Sequence, residues 1–153
     1  MENTLDNHQS FRLPKERVIK LDELREALGG ATMSATIGTL LASAREQGLI
    51  GHGLPGVEIN RLSDGVAIRF DGGPTHGMSF QAAMALASSI KDILSGAEIG
   101  ALVNLDHNFT AKRRGSGFRV ILHGDAEESV KTWSPDIALE FAELLERSVE
   151  SSE

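Results

Sequence analysis

The 153-residue chain predicts an α+β fold: a small strand–helix–helix unit followed by two similar strand–strand–helix units. Three observations lead there. Apolar residues recur at helical spacing in four stretches, with tight turns and breaks between them. Two hairpins are written by short alternating runs around Ser63-Asp64-Gly65 and Arg114-Gly115-Ser116-Gly117. Gly51-His52-Gly53-Leu54-Pro55-Gly56 reads as a linker that separates the first fifty residues from the rest.

Each element follows in order. Residues 1–9 are polar and predict a flexible N-terminus. Ser10-Phe11-Arg12-Leu13 alternates polar and apolar, the pattern of a short half-buried strand, and Pro14 stops it. Val18, Leu21, Leu24 and Leu28 form one stripe over residues 15–28, closed by Gly29-Gly30. Thr32 is a suitable N-cap for a second helix with Ile37, Leu40, Leu41 and Ala44 inward, and Gly48 stops it. After the linker, Val57–Leu62 and Val66–Phe70 make the first hairpin, and a long Gly/Pro loop is expected over 71–77. Ser79 caps a helix carrying Phe80, Ala83, Met84, Ala87, Ile90 and Leu94 on one face. Ala97–Leu105 fits either a short helix or a buried strand. Phe109–Arg113 and Phe118–Leu122 form the second hairpin, and an acidic loop is expected at 124–130. Ser134-Pro135 then opens a helix burying Ile137, Phe141, Leu144 and Leu145.

The two later units align as a repeat, with Met78-Ser79-Phe80 matching Trp133-Ser134-Pro135 and Ala87 matching Ala142. One such unit cannot bury its sheet face alone, so the expectation is two sheets edge to edge with both helices on one face. The domain reading is therefore 10–50, a linker at 51–56, and a tandem ββα domain at 57–150.

Composition limits the function. No cysteine is present, so disulfides and thiolate metal sites are excluded. No signal-like leader and no apolar run of membrane-spanning length are visible, which points to a cytoplasmic protein. The net charge of −7 is unevenly spread: six basic and seven acidic residues lie in 1–50, nine and fifteen in 51–153. The acidity thus belongs to the second part and leaves the first free to meet an anion.

Residues 10–50 resemble the ribbon-helix-helix family of DNA-binding proteins, the Arc-type repressors in particular. The resemblance is carried by Phe11-Arg12-Leu13-Pro14, the helix 15–28, Gly29-Gly30, Thr32-x-Ser34-x-x-Ile37 and Gln47-Gly48-Leu49-Ile50-Gly51. Two departures stand out: Gln9 falls where an apolar residue is usual, and Gly38 lies inside the second helix. The resemblance implies an obligate homodimer whose paired strands enter the major groove of double-stranded DNA. Phe11 and Leu13 then face the helices, while His8, Ser10 and Arg12 face the base edges. Thr32 and Ser34, with Lys15, contact phosphates at helix starts. Two dimers held side by side as a tetramer read two half-sites. The function expected is a sequence-specific, repressor-like transcription regulator that needs no cofactor. The alternative is an adaptor or antitoxin-like protein that binds a protein partner through 57–150 and uses its N-terminus only to dimerise.

No catalytic centre is read from the sequence. Gly51–Gly56 spells a dinucleotide fingerprint, but it neither follows a strand nor opens a helix. His8, His52, His76, His107 and His123 lack metal-ligand spacing, so no metal is assigned. The basic run Lys112-Arg113-Arg114 with Arg119 reads as a solvated turn, and Trp133 as a cover over the core.

Overall fold

The computed structural model describes residues 9–96, 100–125 and 127–150. It has four helices and two antiparallel sheets, and divides into two compact units, residues 1–43 and 44–153.

In the first unit, residues 9–14 are exposed and join no sheet within the single chain. Helix α1 spans Lys15–Ala27 and starts after Pro14, whose carbonyl accepts from the Arg17 and Val18 amides at 2.9 and 3.2 Å. The Leu28 amide bonds back to Leu24 and Gly30 to Arg25, and both closing glycines have positive φ. Helix α2 spans Met33–Glu46, its last turn belonging to the second unit, and Thr32 Oγ1 accepts from the Ala35 amide at 3.1 Å, the N-cap expected of it.

In the second unit each repeat gains a strand. The first contains β1 (Val57–Arg61), β2 (Gly65–Phe70), β3 (Thr75–Ser79) and α3 (Phe80–Ser95). The second contains β4 (Ala101–Asn104), β5 (Phe109–Arg114), β6 (Gly117–His123), β7 (Glu128–Trp133) and α4 (Pro135–Glu150). The sheets run β1-β2-β3 and β4-β5-β6-β7. The repeating unit is thus βββα, and β4 is an addition with no counterpart in the first half.

Two loops expected from the sequence are therefore wrong in the same place. Residues 71–77 hold only a tight turn, Asp71 at φ 53° and Gly72 at φ 74°, before β3 pairs with β2 in the register Ile68↔His76. Residues 128–130 belong to β7, which pairs with β6 as Leu122↔Ser129, Val120↔Lys131 and Phe118↔Trp133. Both strands hide their nature because polar residues stand on the inward face. His76 and Ser129 are buried there and bond each other, Nε2 to Oγ at 2.8 Å. Lys131, beside them on β7, meets Asp71 at 2.8 Å. Alternation read by hydrophobicity fails when inward polar groups satisfy one another.

The sheets do not join edge to edge as expected. Instead β7 passes across the rim of the first sheet where β2 ends and β3 begins, with Ser129 at His76 and Lys131 at Asp71. There Trp133 packs against Phe70 and Phe141, ring centroids 5.8 and 4.9 Å apart. The inner faces supply Val66, Ile68 and Phe70 from β2, Phe109 and Ala111 from β5, and Phe118, Val120 and Leu122 from β6. Both helices lie on these faces. Ser79 Oγ caps α3 by accepting from the Ala82 amide at 3.0 Å, and Gly96 closes it at φ 85°. Pro135 occupies the first position of α4.

The repeat is plain at the helix pair. Lys91 and Glu146, 55 residues apart, form a 2.7 Å ion pair between α3 and α4. At the same offset Ala83 matches Ala138, Leu86 matches Phe141, Ala87 matches Ala142 and Ile90 matches Leu145, and every one is fully buried. One glycine marks a close approach. Gly65, expected as a turn residue, is the first residue of β2, where a Cβ would collide with the Met78 carbonyl oxygen.

Phe141 stands where the Phe70–Trp133 contact meets the helix pair, so Phe141→Ala is expected to cost about 3–5 kcal/mol. Urea unfolding followed by the fluorescence of Trp133 measures it. A loss below about 1 kcal/mol would show that the aromatic cluster does not tie the sheets together.

Candidate functional site

The residues assigned to nucleic acid lie in the first unit. Ser10 and Arg12 are exposed on the extended segment before α1, and Lys15 opens that helix. Thr32 and Ser34 are exposed at the start of α2, where Thr32 accepts an amide and retains its own hydroxyl proton to donate. His8 lies outside the described residues. The structure thus groups Thr32 with Ser34 at one helix N-terminus, and places Ser10 and Arg12 on a separate segment.

The apolar side of this unit is what the sequence leaves undecided. Phe11 and Leu13, expected to face the helices, are 73% and 38% exposed. The α1 stripe does not bury either: Val18 and Leu28 are exposed, Leu21 and Leu24 half-buried, and no residue of α1 is buried. In α2 Leu40 and Leu41 are exposed and Ile37 half-buried. The single buried residue of α2 is Thr36, whose hydroxyl donates to the Thr32 carbonyl at 3.0 Å. Two helices of 13 and 14 residues without a core are marginal in water. Val18, Leu28, Leu40 and Leu41 keep more than a third of their surface exposed among the described residues.

The second unit holds a polar chain that sequence reasoning missed. On the outer face of the second sheet the Thr110 hydroxyl lies 2.8 Å from His123 Nε2, and His123 Nδ1 lies 2.6 Å from a Glu128 carboxylate oxygen. An ionised carboxylate only accepts, so Nδ1 carries a proton toward Glu128, and in the neutral tautomer Nε2 accepts from Thr110. The order hydroxyl–imidazole–carboxylate is that of a nucleophile relay. Its setting is different. Thr110 is buried in a flat strand between Val103 and Ile121, so the neighbouring amides serve the sheet and none is free for an oxyanion. The chain locks β5, β6 and β7 together. Only strand register brings the three residues into one line, which no linear motif records.

The basic run also divides. Arg113 donates to the Ile93 and Leu94 carbonyls at 3.3 Å, a cation at the C-terminus of α3. Lys112 and Arg119 are cross-strand partners on the outer face, with Arg119 Nε donating to Thr132 Oγ1 at 3.3 Å. The Asp106-His107 pair sits in the β4–β5 turn, where the His107 amide donates to the Asn104 side chain at 2.9 Å.

A hollow of about 30 Å³ within residues 44–153 is lined by Arg45, His52, Leu54, Glu140, Glu143 and Arg147, among others. That is room for about one water and no larger ligand. Burial raises the Glu140 carboxyl above its ordinary value, and the nearby Arg45 only partly offsets this. No helix among the described residues is long and apolar enough to cross a membrane. Among known proteins, no family model, curated protein or solved structure matches the chain.

Because folding raises the Glu140 carboxyl above its unfolded value, it costs stability as the pH rises from that unfolded value through the raised one. Glu140→Gln is therefore expected to raise the thermal midpoint at pH 7, and to lose that advantage below about pH 4. Thermal melts of both proteins across this range check it. A variant that melts lower at pH 7 would mean that the Arg45 attraction outweighs desolvation.

Proposed function

We propose that the protein is a sequence-specific DNA-binding regulator of the repressor type that acts as a homodimer through its first fifty residues. The observation that carries the reading is the exposure of the large apolar residues Val18 and Leu28 of the α1 hairpin arm and Leu40 and Leu41 of α2. A second copy is the natural cover, because two such hairpins together make a four-helix core and let the segments around Phe11 and Leu13 pair as a ribbon. In that dimer Arg12 and Ser10 point away from the core toward base edges. Thr32, Ser34 and Lys15 meet the phosphates on either side. The nearly neutral N-terminal fifty residues support the reading, since most of the chain's negative charge lies beyond them.

An adaptor that dimerises by the same face but binds protein through residues 57–150 is the second reading, favoured by the acidity of that part. DNA separates the two. Selection from a genomic library at near-physiological salt is expected to return a palindromic site. Arg12→Ala should weaken it by about 1–3 kcal/mol and relax one position. Lys15→Ala should weaken all sequences alike and lower the salt slope by about one. Retention of the full site preference by Arg12→Ala would exclude the ribbon as the reader, and absence of any preferred site in the wild type would favour the adaptor.

The dimer itself is checked by mass. Leu41→Asp, on the exposed face of α2, is expected to convert a dimer to a monomer in light scattering and to reduce helicity. An unchanged mass would place the self-association elsewhere.

A further inference from the structure

We infer that β4 is a second self-association element: two copies of this chain pair their β4 strands antiparallel across a two-fold axis, joining two four-stranded sheets into one of eight. The strand has one hydrogen-bonded neighbour, β5, and its other edge is open among the described residues. An open edge is a template for another strand unless charge, proline, a bulge, a covering element or a very short strand blunts it, and of these β4 has only its shortness, four residues.

The other outer edges are blunted. Strand β1 carries Glu58 and Arg61, the former in an ion pair with Arg69. Strand β7 carries Glu128 and Lys131, and β3 begins directly after Pro74. Strand β4 reads Ala101-Leu102-Val103-Asn104 and runs into Leu105, with no charge and no proline. Leu105 and Val103, 81% and 60% exposed, are the most exposed large apolar residues from Val57 onward. A neutral edge also lets two chains of net charge −7 approach without setting like charges against each other on β4.

Symmetry fixes the register. Side chains alternate between faces, so a pairing that continues both faces must set odd residues against odd ones. The pairing centred on Val103 sets Val103 against Val103 of the second copy and Ala101 against Leu105. It covers both exposed residues at once. It also extends the outer-face row Val103–Thr110–Ile121–Val130, whose members are successive cross-strand partners.

A four-residue edge buries far less than the roughly 1,200 Å² of a stable interface. The contact is therefore weak by itself, and gains strength when the N-terminal contact already holds chains together. It rests on the proposed dimer for its strength and not for its geometry.

Cysteine trapping in the full-length chain tests this cleanly, because the sequence contains no other thiol. Opposed residues of an antiparallel pair have Cα atoms about 4.5–5.5 Å apart, within disulfide reach. Val103→Cys is expected to form a covalent dimer under mild oxidation at least ten-fold faster than Val130→Cys, which lies on the same face at the far strand. It should also outpace Ala101→Cys, whose two thiols the register holds about 13 Å apart along the strands. Circular dichroism confirms that each variant is folded. A Val103→Cys rate no higher than that of Val130→Cys, or a faster Ala101→Cys, overturns the pairing. Loss of the position-103 preference with DNA binding intact refutes β4 alone. A retained preference without DNA binding refutes the function proposed above and leaves β4 standing.

Discussion

Everything in residues 57–150 depends on the shared helix layer. Each half has one sheet, of three strands or of four, whose inner face must be covered by helices. Each half contributes one helix, and the two helices press Ala83 and Ala87 against the layer that Ala138 and Ala142 complete, all without exposed surface. Small residues at equivalent positions let the helices approach closely, while Leu86, Phe141, Ile90 and Leu145 reach the sheets. The Lys91–Glu146 pair sits at the same equivalence, at the margin of the contact. The sheets then have no freedom to join edge to edge. They are held by their helices, and β7 comes to lie across the rim of the first sheet.

That placement explains the polar interior. Where β7 crosses the rim, the side chains of His76 and Ser129 are drawn out of water and that of Lys131 partly so, and burying polar groups unpaired is costly. The His76–Ser129 bond and the Lys131–Asp71 pair satisfy them, and the Phe70–Trp133–Phe141 cluster closes the apolar side of the same seam. The outer face of the second sheet repeats the solution in Thr110, His123 and Glu128. A chain rich in such internal pairs has polar groups that look functional and are structural. The first unit presents the reverse case. There the exposed residues include large apolar ones, Phe11, Val18, Leu40 and Leu41.

Much of this was legible in the residues. The four helices, the caps at Thr32 and Ser79, the glycine stops at Gly29-Gly30 and both hairpin turns follow from periodicity and local backbone chemistry. So does the repeat, because its helix faces match residue for residue at one offset. Strands β3 and β7 were illegible. Thr75-His76-Gly77-Met78 carries one large apolar residue, and Glu128–Trp133 turns Val130 outward and Lys131 inward, so neither announces a strand. The ambiguity over 97–105 resolved to β4 at 101–104 only because β5 offered an edge. Of the proposed DNA contacts, the sequence placed Thr32 and Ser34 at a helix start, and they are there.

The sequence by itself determined the local elements, since helix periodicity, capping and turns depend on neighbours within a few residues. The tertiary structure alone decided that each repeat has three strands, that His123 stands between Thr110 and Glu128, and that β7 crosses the rim of the first sheet. Those outcomes rest on pairings between residues far apart in the chain. A pairing of that kind is chosen by the free energy of the whole core and leaves no mark on any short stretch of sequence.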